Sequence, residues 1–273
     1  MPKDRTPYKA KHEYDVIKSK PVKLKKDYKF FNQNLFFKLA SFLMVFLMWL
    51  ILEMFYARIF MRFRVRNKHN LKKIKKDGYV LVANHMHVLD AILVGTTMFP
   101  RKTYVTMLQS NLGLPVVGPI LRVAGGVPIP DNKDGMAKMM IELRTELDKN
   151  KVILVMPEAA IKPYHAGIRR FMNGAFRFAI DAKSNILPMV FIYKNPRGLM
   201  KFIRKKPYIE LHILDPYIIE TLENKHETLV KARDEVHEIM REYFNKHSDI
   251  KEALQNEETI EVTDTDSTKS TTN

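Results

Sequence analysis

The chain has 273 residues, with 46 Lys and Arg against 30 Asp and Glu, a formal charge of +16 and no cysteine. A hydrophobic content of 46% with only 10 glycines excludes a collagen-like chain and one disordered throughout. Absence of cysteine excludes disulfides, thiolate nucleophiles, iron–sulfur clusters and cysteine-ligated zinc, while the basic excess calls for an anionic partner: nucleic acid, lipid head groups or an acidic carrier protein.

Residues 1–34, with ten basic and four acidic side chains, read as a basic N-terminal arm. Residues 35–77 read as a membrane-anchoring helical segment with a basic flank. Its apolar stretch, 35–60, has an uncharged centre of 14 residues from Leu39 to Leu52. As a helix this spans about 21 Å against a hydrocarbon core of about 30 Å. The following residues, 61–77, hold eight basic side chains before the single acid Asp77, so both flanks carry the charge that prefers the cytoplasmic side. These features predict a monotopic helix or helix pair dipping into one leaflet of an anionic bilayer, on the cytoplasmic face. A buried core helix is the competing reading.

Residues 78–250 read as the catalytic body. Strands are expected over 79–84, 102–107, 126–129, 151–156, 185–193 and 207–213, where β-branched runs alternate with helical patterns. Helices are expected over about 135–150 and 222–247. In the first, Met136, Met139, Met140, Leu143 and Leu147 share one face, and the methionines are assigned to core packing, not to a cofactor site. The fold class is therefore α/β, a mostly parallel or mixed central sheet flanked by helices, with functional residues in loops at strand ends. A basic run from Lys194 to Lys206, interleaved with Leu199, Met200, Phe202 and Ile203, suits a solvated loop, or one that meets a membrane or an acidic carrier. Residues 251–273 form an acidic, Ser/Thr-rich tail that reads as disordered.

Several chemistries have no signature here. There is no helix-turn-helix, zinc-finger or RNA-recognition pattern, so nucleic acid is not an expected partner. A Gly-x-Ser-x-Gly elbow, a phosphate-binding Gly-rich loop and a helical His pair are also missing, and no metal is implied. What stands out is NHMHVLD at the end of the first body strand, where His85 precedes Asp90 by five positions. An imidazole there can take a proton from an attacking hydroxyl if a carboxylate fixes its tautomer. His87 is an alternative base or a substrate contact. The plain structural alternative is a surface histidine with Asp90 capping the next helix.

The order of further blocks resembles the glycerolipid acyltransferases, the 1-acylglycerol-3-phosphate acyltransferase group. Asn84, His85 and Asp90 match its Asn-His-x4-Asp, and Pro115, Gly118 and Gly125 match its second block. Pro157 and Glu158 match the start of Phe-Pro-Glu-Gly-Thr-Arg-Ser, and Gly174, Ala175 and Pro188 follow in their expected places. The resemblance implies His85 as general base, Asp90 as its orienting partner, and no cofactor beyond an acyl-CoA or acyl-carrier-protein co-substrate. It also implies substrate contacts at Asn84 and Glu158 and oxyanion donors near Gly125, Gly126 and Val127, while His87, where the group commonly has serine, is a substrate contact that marks an unusual acceptor side.

Two departures affect the acceptor. Asp131 stands where the group has a phosphate-binding arginine, and Ala159, Ala160 and Ile161 replace Gly, Thr and a second such arginine. Lys133, Lys162, Arg169 and Arg170 are near enough in sequence to supply the charge from displaced positions. The expected activity is transfer of a fatty acyl group to the hydroxyl of a lysophosphatidic-acid-like acceptor in phospholipid synthesis. Alternatives are an acceptor without that phosphate, such as a lysophospholipid or sugar, and a non-catalytic membrane scaffold on the same fold.

Overall fold

The computed structural model describes residues 20–51, 63–74, 77–163, 165–205 and 207–251. The expected tail beyond residue 251 falls outside these residues, as do residues 1–19 of the basic arm and 52–60 of the apolar stretch.

Seven strands form one sheet: β1 (Arg64–Arg66), β2 (Tyr79–Ala83), β3 (Thr103–Leu108), β4 (Gly126–Ile129), β5 (Val152–Val155), β6 (Asn185–Lys194) and β7 (Tyr208–Ile213). Their order is β1-β7-β6-β2-β5-β3-β4. The five strands from β6 to β4 are parallel, β7 runs antiparallel to β6, and β1 is parallel to β7. The mixed α/β sheet expected from the sequence is present, with all six expected strands in place. Strands β2 and β5 are buried at every residue, which is why they read as continuous apolar runs without alternation. β1 was not expected, because Arg-Val-Arg carries no strand pattern. It is a charged edge strand, and Arg66 clamps the Glu210 carboxylate of β7 with two bonds of 3.2 Å.

Two helical groups flank the sheet. α2 (Asp90–Thr97) and α3 (Val117–Ala124) pack with α1 (Leu35–Met48), while α5 (Gly174–Asp181) packs with both α4 (Lys133–Asp148) and α7 (Lys225–His247). A short turn of helix, α6 (Met200–Ile203), lies in the β6–β7 connection. Asparagine side chains start α1, α4 and α7: Asn34, Asn132 and Asn224 each accept a first-turn N–H. The Asn132 cap sets α4 two residues earlier than its apolar spacing alone predicts. Its Met139, Leu143 and Leu147 are buried as expected.

From Lys20 onward the basic arm runs along the body. Phe30 and Phe31 are core residues, and Phe31 meets Tyr104 edge-on at 4.7 Å. Lys20 donates its N–H to Gly113 at 3.1 Å. No helix among the described residues is long and apolar enough to cross a membrane. α1 leaves Leu35, Phe36, Leu39, Leu43 and Leu47 exposed and turns Ser41 inward, where its hydroxyl donates to the Val123 carbonyl at the end of α3.

Between α1, α2, α3 and β3 lies a cavity of about 660 Å³, walled by residues such as Phe37, Phe42, Val45, Ile92, Ile120 and Leu121. Lys102 lines it and donates to the Ser41 hydroxyl. Burial, with Arg122 and Lys151 nearby, pushes the Lys102 ammonium down to about 8 from 10.5. Above the higher value the amine is neutral in both folded and unfolded chains, and the site contributes no penalty. As pH falls from the higher value to the lower one, the unfolded chain takes up a proton that the folded state does not, so stability is lost across that window and stays at its reduced level below it. Lys102→Met should therefore raise stability by an amount on the order of 2 kcal/mol at about pH 7, shrinking by about pH 10. Thermal melts of both proteins at the two pH values check this; a gain that does not change with pH would contradict it.

Candidate active site

The end of β2 and the start of α2 are separated by six residues, 84–89. Asn84 fixes the strand end. It is 1% exposed, its Nδ2 donates to the Phe191 carbonyl at 3.1 Å, and its Oδ1 accepts the Phe191 N–H at 2.8 Å. Both ends of its amide are thus engaged by β6. This corrects the expectation of a substrate contact: Asn84 holds the strand end in place.

His85 follows, at the carboxyl end of the parallel strands. Its Nδ1 lies 3.1 Å from Oδ2 of Asp90, whose side chain is fully buried while the imidazole keeps 20% exposure. The same Oδ2 accepts the N–H groups of Met86 and His87, each at 2.7 Å. Asp90 is the first residue of α2, where the helix dipole favours a carboxylate.

The two histidines receive opposite tautomers from their surroundings. A carboxylate can only accept, so the neutral His85 ring carries its hydrogen on Nδ1 and leaves the Nε2 lone pair open. In His87, Nδ1 accepts the Leu89 N–H at 3.2 Å, which puts the hydrogen on Nε2. His85 is thereby arranged as a base and His87 as a donor, a distinction invisible in the sequence.

The third block packs beneath this turn. Glu158 is buried; its Oε2 accepts the His85 N–H at 3.4 Å and Nε of Arg169 at 2.8 Å, and its Oε1 accepts the Arg169 N–H at 3.2 Å. Burial pushes the Glu158 carboxyl up, and Arg169 with these hydrogen bonds pulls it partly back. Glu158 and Arg169 are therefore engaged with each other and with the His85 backbone; neither is placed as the direct substrate contact the sequence suggested. Lys162 donates its N–H to the His85 carbonyl at 3.4 Å, which keeps its exposed side chain on the loop beside the histidine. Arg170 and Lys133 are exposed, and Lys133 opens α4 at the same end of the sheet as His85.

Gly125 and Gly126 are not brought to His85. Gly126 is in register with Val105, which is level with Leu154 and, through it, with Leu81. That places it three strand spacings, roughly 14 Å, to the side of β2. Gly125 instead ends α3 at φ 118°, where a Cβ would lie 2.7 Å from the Thr103 carbonyl oxygen. The expectation of oxyanion donors there is corrected accordingly. Among the described residues no group of three or more His, Asp or Glu forms a candidate metal site.

Ala159 was read as a departure from the glycine of the third block, and its backbone explains the glycine. Its φ is 61°, the left-handed region, where an L-residue is strained by about 1–2 kcal/mol. The turn that seats Glu158 thus demands this conformation whichever residue stands there. Ala159→Gly should stabilise the protein by about 0.5–1 kcal/mol, after allowing for the glycine's greater unfolded-state freedom. A denaturant titration of the two proteins measures this; a loss of stability would contradict the turn as described.

Comparison with known proteins follows the same lines. The Acyltransferase family model matches residues 62–192, the segment containing β2, the His85 turn, Glu158 and most of β6. No curated protein matches the chain. Among solved structures, the chain is similar to the 1-acyl-sn-glycerophosphate (LPA) acyltransferase PlsC from Thermotoga maritima, with 17% identity and a TM-score of 0.54. The match covers 79% of this chain and 89% of that one; at this identity it is a likeness of fold. Residues 62–192 are thus an Acyltransferase domain, and the protein is an acyltransferase.

Proposed function

We propose that the protein transfers a fatty acyl group from an acyl thioester, acyl-CoA or acyl-carrier protein, to the hydroxyl of a lysophosphatidic-acid-like acceptor in a membrane. The observation that carries this reading is the His85–Asp90 pair, a base whose open Nε2 stands at the end of the sheet while a buried carboxylate holds the opposite nitrogen. The acceptor hydroxyl donates to Nε2 and loses its proton to it as the oxygen attacks the thioester carbonyl. Asp90 stabilises the imidazolium that forms. Collapse of the tetrahedral intermediate breaks the carbon–sulfur bond, and the Nε2 proton goes to the departing thiolate. No covalent enzyme intermediate is needed, in keeping with the absence of cysteine.

The acyl chain lies in the cavity beneath α1, whose wall includes Ala91, the residue next to Asp90. Its volume is within the roughly 300–1,000 Å³ of ordinary ligand pockets. Lys162, Arg170 and Lys133 supply the positive charge for an acceptor phosphate, and His87 presents an N–H donor. The exposed apolar face of α1 rests in one leaflet on the cytoplasmic face, with the basic flank at the head groups. One observation favours a second acceptor class: Asp131 and Ile161 stand where two phosphate-binding arginines are expected, which suits a lysophospholipid or a sugar. A scaffold without catalysis is the weaker reading, because it has no use for the tautomer set by Asp90.

Acyl transfer from labelled donors to lysophosphatidic acid, glycerol 3-phosphate, lysophosphatidylcholine and a sugar acceptor tests this. His85→Ala should lower the rate about 10²- to 10⁴-fold. Transfer to lysophosphatidic acid that survives His85→Ala unchanged would refute the mechanism. Transfer confined to acceptors lacking the phosphate would move the substrate class.

A further inference from the structure

The β6–β7 hairpin carries a surface that the active site does not use. β6 pairs with β2 as far as Met189, opposite Ala83, and then continues five residues to Lys194. The hairpin therefore projects roughly 16 Å past the end of β2, at the end of the sheet where His85 lies. Near its tip is α6, with Leu199, Phe202 and Ile203 exposed by 81%, 88% and 76%. Arg197, Lys201, Arg204 and Lys205 flank them along the chain, and Asp249 pairs with Lys194 and Arg197 at 3.1 and 3.6 Å.

The neighbours of this tip are informative. Arg64 at the start of β1 is in register with Glu210, and Glu210 with Ile192 near the far end of β6. The chain that leaves the apolar stretch 35–60 therefore enters the sheet beside the hairpin, at the catalytic end. Two further exposed apolar residues belong to the same end: Val88, in the loop after His85, and Val116, just before α3.

Three large apolar side chains on a projecting turn do nothing for the core of their own domain. Their convex placement fits insertion into a soft apolar medium better than docking on an acidic protein surface, which the basic residues alone would serve. Apolar side chains at the centre with Lys and Arg around them is the arrangement of an interfacial membrane contact, the cations meeting anionic head groups.

We propose that α6 is a membrane wedge: Leu199, Phe202 and Ile203 enter one leaflet of an anionic bilayer, and the cations around them hold the catalytic end against its surface. This contact is additional to α1. It rests on the reading of a bilayer-borne acceptor and gives the site direct access to it.

Because the chain has no cysteine, a single introduced one reports its own position. Ile203→Cys in the full chain, carrying an environment-sensitive dye, is compared with Glu223→Cys. Glu223 is exposed and lies beyond Tyr217, which pairs with Ile186 near the start of β6, at the other end of the sheet. On phosphatidylcholine–phosphatidylglycerol vesicles the dye at 203 should shift to the blue and become shielded from an aqueous quencher, and the dye at 223 should do neither. A dye at 203 that stays open to the quencher on vesicles that sediment the protein overturns the proposal. So does a shift produced by acyl-carrier protein and not by vesicles.

A second variant reads the consequence. Leu199→Glu combined with Phe202→Glu should weaken vesicle binding at least about tenfold and raise KM for a bilayer acceptor, leaving turnover of a short-chain, water-soluble acceptor unchanged. Unaltered vesicle affinity overturns the proposal. Should the wild type acylate no acceptor at all, the acyl-transfer reading fails, while the dye measurement still decides the wedge.

Discussion

Oδ2 of Asp90 accepts three hydrogens, from Nδ1 of His85 and from the N–H groups of Met86 and His87. With those bonds one buried oxygen closes the turn between β2 and α2, sets the His85 tautomer and gives the first turn of α2 a negative charge at its positive end. The Asn84 amide ties the preceding residue to β6, and the Glu158 carboxylate accepts the His85 N–H from below. Three buried side chains thus fix residue 84, the His85 backbone and, through Nδ1, the His85 ring, leaving the opposite nitrogen, Nε2, outside these bonds. A site of this kind follows from a parallel sheet, whose strand ends deliver side chains from buried backbone directly to a surface.

Positive charge near the site is divided between two tasks. Arg169 neutralises a carboxylate that burial would otherwise drive toward its neutral form, so it keeps Glu158 available to the His85 backbone. Lys162, Arg170 and Lys133 remain at the surface, where the proposed function assigns them to an anionic acceptor. The placement of Arg169 shows why proximity in sequence overstates the number of substrate-binding cations: a guanidinium beside a buried carboxylate is bound by it before any ligand is present.

The fold was legible because its central strands are apolar on both faces, and α4 and α7 show clear helical stripes. β1 was not, since an edge strand of Arg-Val-Arg owes its pairing to Glu210 and the β7 backbone, partners more than 140 residues away. His85 and Asp90 were legible from spacing at a strand end. The choice between His85 and His87 was not, because it depends on which ring nitrogen meets a donor and which an acceptor. Gly125 and Gly126 misled for a related reason: a turn at positive φ and a close backbone approach call for glycine just as an oxyanion site does. Ala159 shows the converse, a glycine conformation kept without the glycine.

The central claim is that Asp90 sets His85 as a base with its lone pair on Nε2. Heteronuclear NMR of the ring nitrogens of His85 tests it without any substrate. The neutral ring should be the Nδ1–H tautomer in the native protein, and Asp90→Asn should remove that preference while the chain stays folded. A native His85 protonated on Nε2, with Nδ1 bare, would contradict the account.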